Sequence, residues 1–126
     1  MTLMFLNGGA MRGGPLHHLL AGAPLVGVVR TAPHYRFYSV GDIFPAIEPV
    51  KTGGVPVAGE LYDLPWNVLR DSLLPAEPAE LELGVIELED GGASLSMVRR
   101  RTYVEPETYK DISEHADWRS YLEAAA

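Results

Sequence analysis

Residues 5–17 have the sequence FLNGGAMRGGPLH, which joins an apolar strand to the start of a helix through four glycines. Glycine adopts positive φ angles readily and lets a ligand approach the main chain closely. Pro15 suits the first turn of a helix, and the unpaired amide groups at a helix start favour an anion. The stretch therefore predicts a small-molecule site at this loop, suited to a carboxylate or a tetrahedral oxyanion.

Two nucleotide-binding loops are excluded by the spacing of these glycines. The chain has no GxxxxGK[ST] motif, and GxGxxG does not occur in this run. Ser39, Ser94 and Ser96 lie outside any GxSxG motif, so a serine hydrolase has no support either.

The composition is that of a folded soluble domain. The 126 residues are 47% hydrophobic and 21% charged, which predicts one domain with a single core and argues against disorder. Cysteine is absent, which removes disulfides and thiol nucleophiles. With no signal-type or membrane-length apolar segment, we expect a cytoplasmic protein without a membrane partner.

The charge distribution indicates the kind of partner. A net charge of −7 argues against nucleic-acid binding. No acidic residue precedes Asp42, whereas arginines and histidines do, so a local positive patch near the glycines would attract a small anionic metabolite. The alternative is that these arginines only decorate strand edges. His17 and His18 are adjacent and cannot form a one-face ligand pair, so we expect no metal site.

Hydrophobic periodicity and turn residues predict a small α+β fold, a mixed β-barrel with short helices and a curled or closed sheet. The predicted strands are 2–6, 25–32, 35–40, 55–64, 81–88 and 94–99, and the predicted helices are 15–21 and 65–74. We expect one domain over residues 1–126, with the barrel in 1–101 and a docked C-terminal segment in 102–126. The aromatic residues of that segment could alternatively form a homodimer contact.

Alternation within two strands suggests further substrate contacts. Arg36 and Tyr38 share one strand face and could hold a substrate carboxylate, although a structural cross-strand pair is the alternative. Tyr62 lies beside Glu60 on another strand face, where it could line a cavity or belong to the core.

The order of these segments resembles the gamma-glutamylcyclotransferase-like, or AIG2-like, superfamily. Its members open with a strand and a loop of the form YGSLM or YGTLMRG, and FLNGGAMRG stands in that place here. The branch that contains the allophanate hydrolase C-terminal domain is similar over roughly the first hundred residues. Four of its segments have counterparts here in the same order. Its glycine-containing loop corresponds to GGAMRGGPLH at residues 8–17, and its RTAPRYRLY segment to RTAPHYRFY at 30–38. Its GG turn corresponds to GG at 53–54, and its ELADG turn to IELEDG at 86–91.

The resemblance implies a catalytic glutamate. In the cyclotransferases an essential glutamate occurs in a stretch resembling LDxxEG, and LLPAEP at residues 73–78 fills that place with Glu77. Glu77 would take a proton from the substrate α-ammonium and protonate the leaving amine, without a metal or cofactor. The loop residues Asn7, Gly8, Gly9, Ala10 and Met11 would bind substrate, their amides forming an oxyanion hole. Glu77 as an ordinary surface carboxylate is the alternative.

Two departures separate the chain from both relatives. Asn7 replaces the cyclotransferase tyrosine, and Ala10 replaces a histidine that we associate with the chemistry of the allophanate hydrolase domain. The expected function is lactam-forming cleavage of a γ-glutamyl amine or related amide. The alternatives are a stand-alone relative of the allophanate hydrolase domain that acts on a carboxylated urea or carbamate, and a non-catalytic module that binds a small anion.

Overall fold

The computed structural model describes residues 2–100 and 109–126. The strands in these ranges are β1 (Leu3–Leu6), β2 (Leu25–Arg30), β3 (Tyr35–Val40), β4 (Phe44–Pro49), β5 (Ala58–Asp63), β6 (Leu81–Glu87), β7 (Ala93–Arg99) and β8 (Tyr109–Asp111). The helices are a 3₁₀ turn at His17–Leu20, a short α1 (Trp66–Val68) that continues through Leu69–Ala76, and α2 (Trp118–Ala125).

The strands form two sheets. The larger has the order β2-β5-β1-β7-β6 and the smaller β4-β3-β8. β1 pairs antiparallel with β5 and parallel with β7. The predicted α+β class is therefore confirmed, although the hydrogen-bonded ladders of the described residues do not close into one barrel.

β1 lies at the centre of the larger sheet because its residues are apolar on both faces. Met4, Phe5 and Leu6 are all buried, as expected for a strand covered from both sides. Met4 lies opposite Tyr62, and Phe5 opposite Leu61, on β5. The central strand thus delivers the glycine-rich loop directly from the core.

β4 is a strand that the sequence did not predict. It contains Pro45 and Pro49, and proline cannot donate to a sheet ladder. β4 is an edge strand of the smaller sheet, where a missing donor is tolerated.

The two predicted helices are shorter and less regular than expected. The first is one 3₁₀ turn that ends at Ala21, which has a left-handed φ of 52°. The second begins after Pro65 and passes from α-helix through a π-helical turn at Leu69–Leu73 to a 3₁₀ turn at Leu74–Ala76. Leu69 and Leu73 face the core.

The C-terminal residues pack against the rest of the chain. β8 pairs with β3, and Ile112, Trp118 and Tyr121 are buried in the main hydrophobic cluster. The predicted boundary at residues 101 and 102 lies outside the described residues. No helix in the described ranges is both long and apolar enough to cross a membrane.

Candidate active site between the glycine-rich loop and Glu77

A cavity of about 300 Å³ opens beside the glycine-rich loop. Three segments supply most of its wall: residues 7–10 of the loop, residues 43–45 at the start of β4, and residues 76–78 at the end of the 3₁₀ turn. Leu16, Leu81 and Met97 add apolar surface. The structure thus brings the predicted loop and the predicted glutamate to one cavity.

Close packing explains two of the four glycines of the loop, Gly8 and Gly14. Among the four, only Gly13 has a positive φ, of 81°. A Cβ at Gly8 would stand 2.7 Å from Pro45 Cδ, and one at Gly14 would overlap the Gly9 carbonyl. Gly8 therefore lets the loop touch β4, and Gly14 lets the loop fold back on itself.

The loop leaves several of its amide groups without a protein acceptor. The Met11 amide bonds to the Gly8 carbonyl at 3.1 Å, and the Leu16 amide to the Gly9 carbonyl at 2.9 Å. For the amides of Gly8, Gly9 and Ala10, by contrast, the part of the chain that the structure describes offers no hydrogen-bond acceptor. These three amide groups belong to residues that line the cavity.

Glu77 is held by the backbone immediately before it. Its amide bonds to the Leu74 carbonyl at 3.1 Å and closes the 3₁₀ turn, and the chain then becomes extended at Glu77. The residue is partly buried, and within residues 2–100 and 109–126 no donor contacts its carboxyl group. Burial raises the pKa of Glu77 to about 7, because a low-dielectric surrounding disfavours the ionised form.

Asn7 follows β1 and lines the same cavity. Its Nδ2 atom is buried, and among the described residues it has no hydrogen-bond partner. An unsatisfied buried donor destabilises a fold by about 1–3 kcal/mol.

A buried carboxylate fixes the far side of the loop. Glu60 is 1% exposed and accepts hydrogen bonds from the Arg12 amide at 2.8 Å, from Tyr62 Oη at 2.8 Å and from Arg119 Nη2 at 3.2 Å. Arg12 Nε adds a contact at 3.1 Å. Burial alone would raise the pKa of Glu60, but these donors outweigh it and hold the pKa below its usual range. Burial and the bond to Glu60 raise the pKa of Tyr62 to about 12.

His17 supports the loop from the side. Its Nδ1 lies 3.0 Å from the Ala10 carbonyl oxygen. Across the described residues, no group of three or more histidine and acidic side chains could hold a metal ion.

Four predicted binding residues lie outside this cavity. Arg36 bonds to Asp111 at 2.8 Å and to the Gly53 carbonyl at 2.8 Å, and the Arg99 guanidinium lies over the Tyr38 ring, 5.6 Å from its centroid. Tyr62 is buried in the core against Glu60, and Met11 is also buried. The structure thus favours the structural alternatives for Arg36, Tyr38 and Tyr62, and none of the four residues lines this cavity.

The expected positive patch does not form around the cavity. Arg12 pairs with Glu60, Arg30 with Glu89 at 3.0 Å, and Arg36 with Asp111. The described residues that line the cavity include no arginine, lysine or histidine. The arginines of the first third of the chain thus pair with acidic residues from later in the chain. Such pairs are distant in sequence, so the charge distribution along the chain does not reveal them.

The arrangement of the two sheets and the short helices places the protein in a known fold class. An AIG2-like protein from Mus musculus shares the fold, with a TM-score of 0.62 over 86% of this chain and 82% of that chain at 23% identity. The gamma-glutamylcyclotransferase-like fold is therefore confirmed.

A family model places the chain more narrowly within that class. The model of the allophanate hydrolase C-terminal domain matches residues 2–123. A uropathogenic E. coli-specific protein is 35% identical, with a TM-score of 0.88 over 97% of this chain and 95% of that one. The chain belongs to the allophanate hydrolase C-terminal domain family.

The allophanate hydrolase of Kluyveromyces lactis contains the same fold as one part of a longer chain. The two share 24% identity and a TM-score of 0.88 over 99% of this chain, which corresponds to 21% of that enzyme. A comparison with curated proteins found no match.

Proposed function

We propose that this protein is a small-molecule enzyme that cleaves a γ-glutamyl amine or a related amide with formation of a lactam. Glu77 is the acid and base of the proposed reaction. The observation that carries the proposal is the Glu77 carboxyl group, which lines the cavity without a protein donor in the described residues. A carboxyl with a pKa near 7 exchanges protons efficiently at neutral pH.

The first half of the proposed reaction forms a bond. Ionised Glu77 accepts a proton from the substrate α-ammonium, and the free amine attacks the γ-carbonyl carbon. The new C–N bond converts the carbonyl oxygen into an oxyanion. The unbonded amides of Gly8, Gly9 and Ala10 are the proposed donors to that oxyanion.

The second half breaks a bond. The oxyanion collapses, and the original amide C–N bond cleaves as protonated Glu77 gives its proton to the leaving amine. The ring nitrogen then releases its second proton, through Glu77, to the departing amine, which leaves as an ammonium ion. The product is a five-membered lactam. Because nucleophile and carbonyl belong to one molecule, the reaction needs mainly geometry and proton transfer, and no step of it requires a metal or cofactor.

The proposed substrate is a small metabolite that carries a carboxylate. The cavity volume of about 300 Å³ supports a ligand of that size. The absence of basic side chains from its described lining favours recognition through backbone amides over arginine clamping.

Family membership favours a second candidate, a stand-alone domain that acts on a carboxylated urea or carbamate. Such a substrate would use the same loop amides. Ala10 stands where the resemblance implies a histidine, which favours the lactam-forming reaction over this one.

The test is release of 5-oxoproline from a panel of γ-glutamyl amines by the wild type, Glu77→Gln and Glu80→Gln. Glu80 is a nearby carboxylate that does not line the cavity, so it is the matched control. We expect turnover that is lost in Glu77→Gln and retained in Glu80→Gln. Absence of turnover by the wild type would contradict the proposal, and product from carboxylated ureas would then support the second candidate.

A further inference from the structure

Helix α2 contacts the segment that forms one wall of the candidate active site. Arg119 Nη2 donates to the Arg12 carbonyl at 2.5 Å and to Glu60 at 3.2 Å. Glu60 in turn holds the Arg12 amide. Arg12 is thus fixed at both its amide and its carbonyl, directly after the loop residues 7–10 that line the cavity.

The same helix contacts the segment that forms a second wall. Tyr121 Oη donates to Asp42 Oδ1 at 2.5 Å. Asp42 belongs to the tight turn between β3 and β4, where both Gly41 and Asp42 have positive φ. Ser39 Oγ also donates to Asp42, at 2.7 Å. The next residues, 43–45, line the cavity.

The helix itself is anchored in the core. Trp118 is 4% exposed and Tyr121 is 3% exposed, and their rings stack with centroids 5.8 Å apart. Burial of two aromatic rings fixes the helix more firmly than surface hydrogen bonds would. Two side chains of one anchored helix therefore reach two segments that are about 30 residues apart in sequence.

We propose that α2 is a brace of the active site, in which Arg119 and Tyr121 are positioning residues that hold the glycine-rich loop and the β3–β4 turn in their relative places. The expected effect on catalysis rests on the proposed function, whereas the effect on the two walls does not.

Amide hydrogen exchange tests the brace without any assumption about substrate. Tyr121→Phe keeps the packed ring and removes only the hydroxyl. The reporter is the Ile43 amide, which bonds to the Val40 carbonyl at 3.1 Å in the adjoining turn. We expect faster exchange at Ile43 by about fivefold or more, the equivalent of one lost hydrogen bond.

The contact of Arg119 with Arg12 and Glu60 is tested with a second variant and a second reporter amide. Arg119→Met keeps the apolar stem and removes the guanidinium, and the reporter is the Arg12 amide. Ser120→Ala is the control for both variants, because within the described ranges the Ser120 hydroxyl bonds to Asp117 alone, at the start of the helix. The control should perturb the helix without accelerating exchange at Ile43 or Arg12.

The kinetic readout separates positioning from simple loss of fold. In Tyr121→Phe we expect KM for a γ-glutamyl amine to rise about fivefold with a smaller change in kcat, in line with one hydrogen bond. Unchanged exchange at both reporters, or equal acceleration in Ser120→Ala, would overturn the brace. A wild type without turnover would contradict the proposed function, and the exchange experiment would still decide the brace.

Discussion

The Glu60 carboxylate accepts a hydrogen bond from the backbone amide of Arg12 at 2.8 Å, across 48 residues of sequence. Glu60 is also the buried partner of the Arg12 and Arg119 guanidinium groups, which are both about half exposed. A single acidic side chain on β5 thereby connects the core sheet, the glycine-rich loop and α2.

Loss of this carboxylate should destabilise the fold. Glu60→Gln removes the charge that the Arg12 amide and two guanidinium groups contact, so we expect the free energy of unfolding to fall by roughly 1.5–3 kcal/mol. Glu89→Gln is the matched control: Arg30 is 57% and Arg12 56% exposed, but Glu89 is 52% exposed against 1% for Glu60. An exposed pair contributes about 0–1 kcal/mol. Urea denaturation measures the free energy of unfolding of both variants. Equal losses in the two variants would refute the role of Glu60 as a buried partner of Arg12 and Arg119.

Stability should fall as Glu77 ionises. The folded protein holds the Glu77 proton up to about pH 7, whereas a glutamate in the unfolded chain releases it near its ordinary pKa of 4.5. The folded state therefore binds more protons between these values, and the free energy of unfolding decreases as pH rises through this window, by up to about 3 kcal/mol. The pKa values of Glu60, Asp42 and Asp111 are lowered, so these groups change the free energy of unfolding only at pH values below this window.

Chemical denaturation at pH 5 and pH 8 checks this dependence. Glu77→Gln should remove the decrease and should be more stable than the wild type at pH 8. A wild-type protein whose stability is flat or rises between pH 5 and pH 8 would show that Glu77 is not buried as described.

We expect Asn7 to contribute to turnover and not to the stability of the fold. Asn7→Leu replaces an amide whose buried Nδ2 atom has no partner among the described residues with an apolar group of similar shape, so we expect unchanged or slightly higher thermal stability. Turnover should fall, because a cavity residue has been replaced. A clear drop in Tm would mean that the Asn7 side chain has a structural partner.

Gly59 should not tolerate a side chain. A Cβ at Gly59 would stand 2.5 Å from the Leu6 carbonyl oxygen and closer still to the Phe5 ring, both on the neighbouring strand. Gly59→Ala should therefore destabilise the protein by about 3 kcal/mol or more. Gly27→Ala is the control, since its nearest atom is 3.9 Å away. Similar thermal stabilities of the two variants would contradict the packing of β5 on β1.

Local patterns in the sequence predict much of this fold. The alternation of Tyr35 to Val40 indicated β3 and its buried face, and the apolar residues before Asn7 indicated the central strand. β4 escaped prediction because its two prolines argue against a strand unless its position at the sheet edge is known.

The candidate site is only partly readable from sequence. The resemblance placed Glu77 near the loop, and the structure brings both to one cavity. The partners of Glu60 could not be predicted, because Arg12 and Arg119 lie 48 and 59 residues away. One signal was present: Glu60 lies between Gly59 and Leu61 in the middle of a strand, and a glutamate that is buried there needs partners. The sequence predicted that Arg36 and Tyr38 bind substrate, but it could not show that the Arg36 guanidinium is bonded to Asp111, which comes from a strand distant in sequence.

The pH dependence of kcat/KM for 5-oxoproline release tests the role of Glu77 most directly. For the wild type we predict activity that rises with pH through an apparent pKa of about 7, as ionised Glu77 becomes available as the base. Glu77→Gln should lose this activity while Glu80→Gln keeps the same profile. A wild-type profile that is flat down to pH 5, or full activity in Glu77→Gln, would contradict the account.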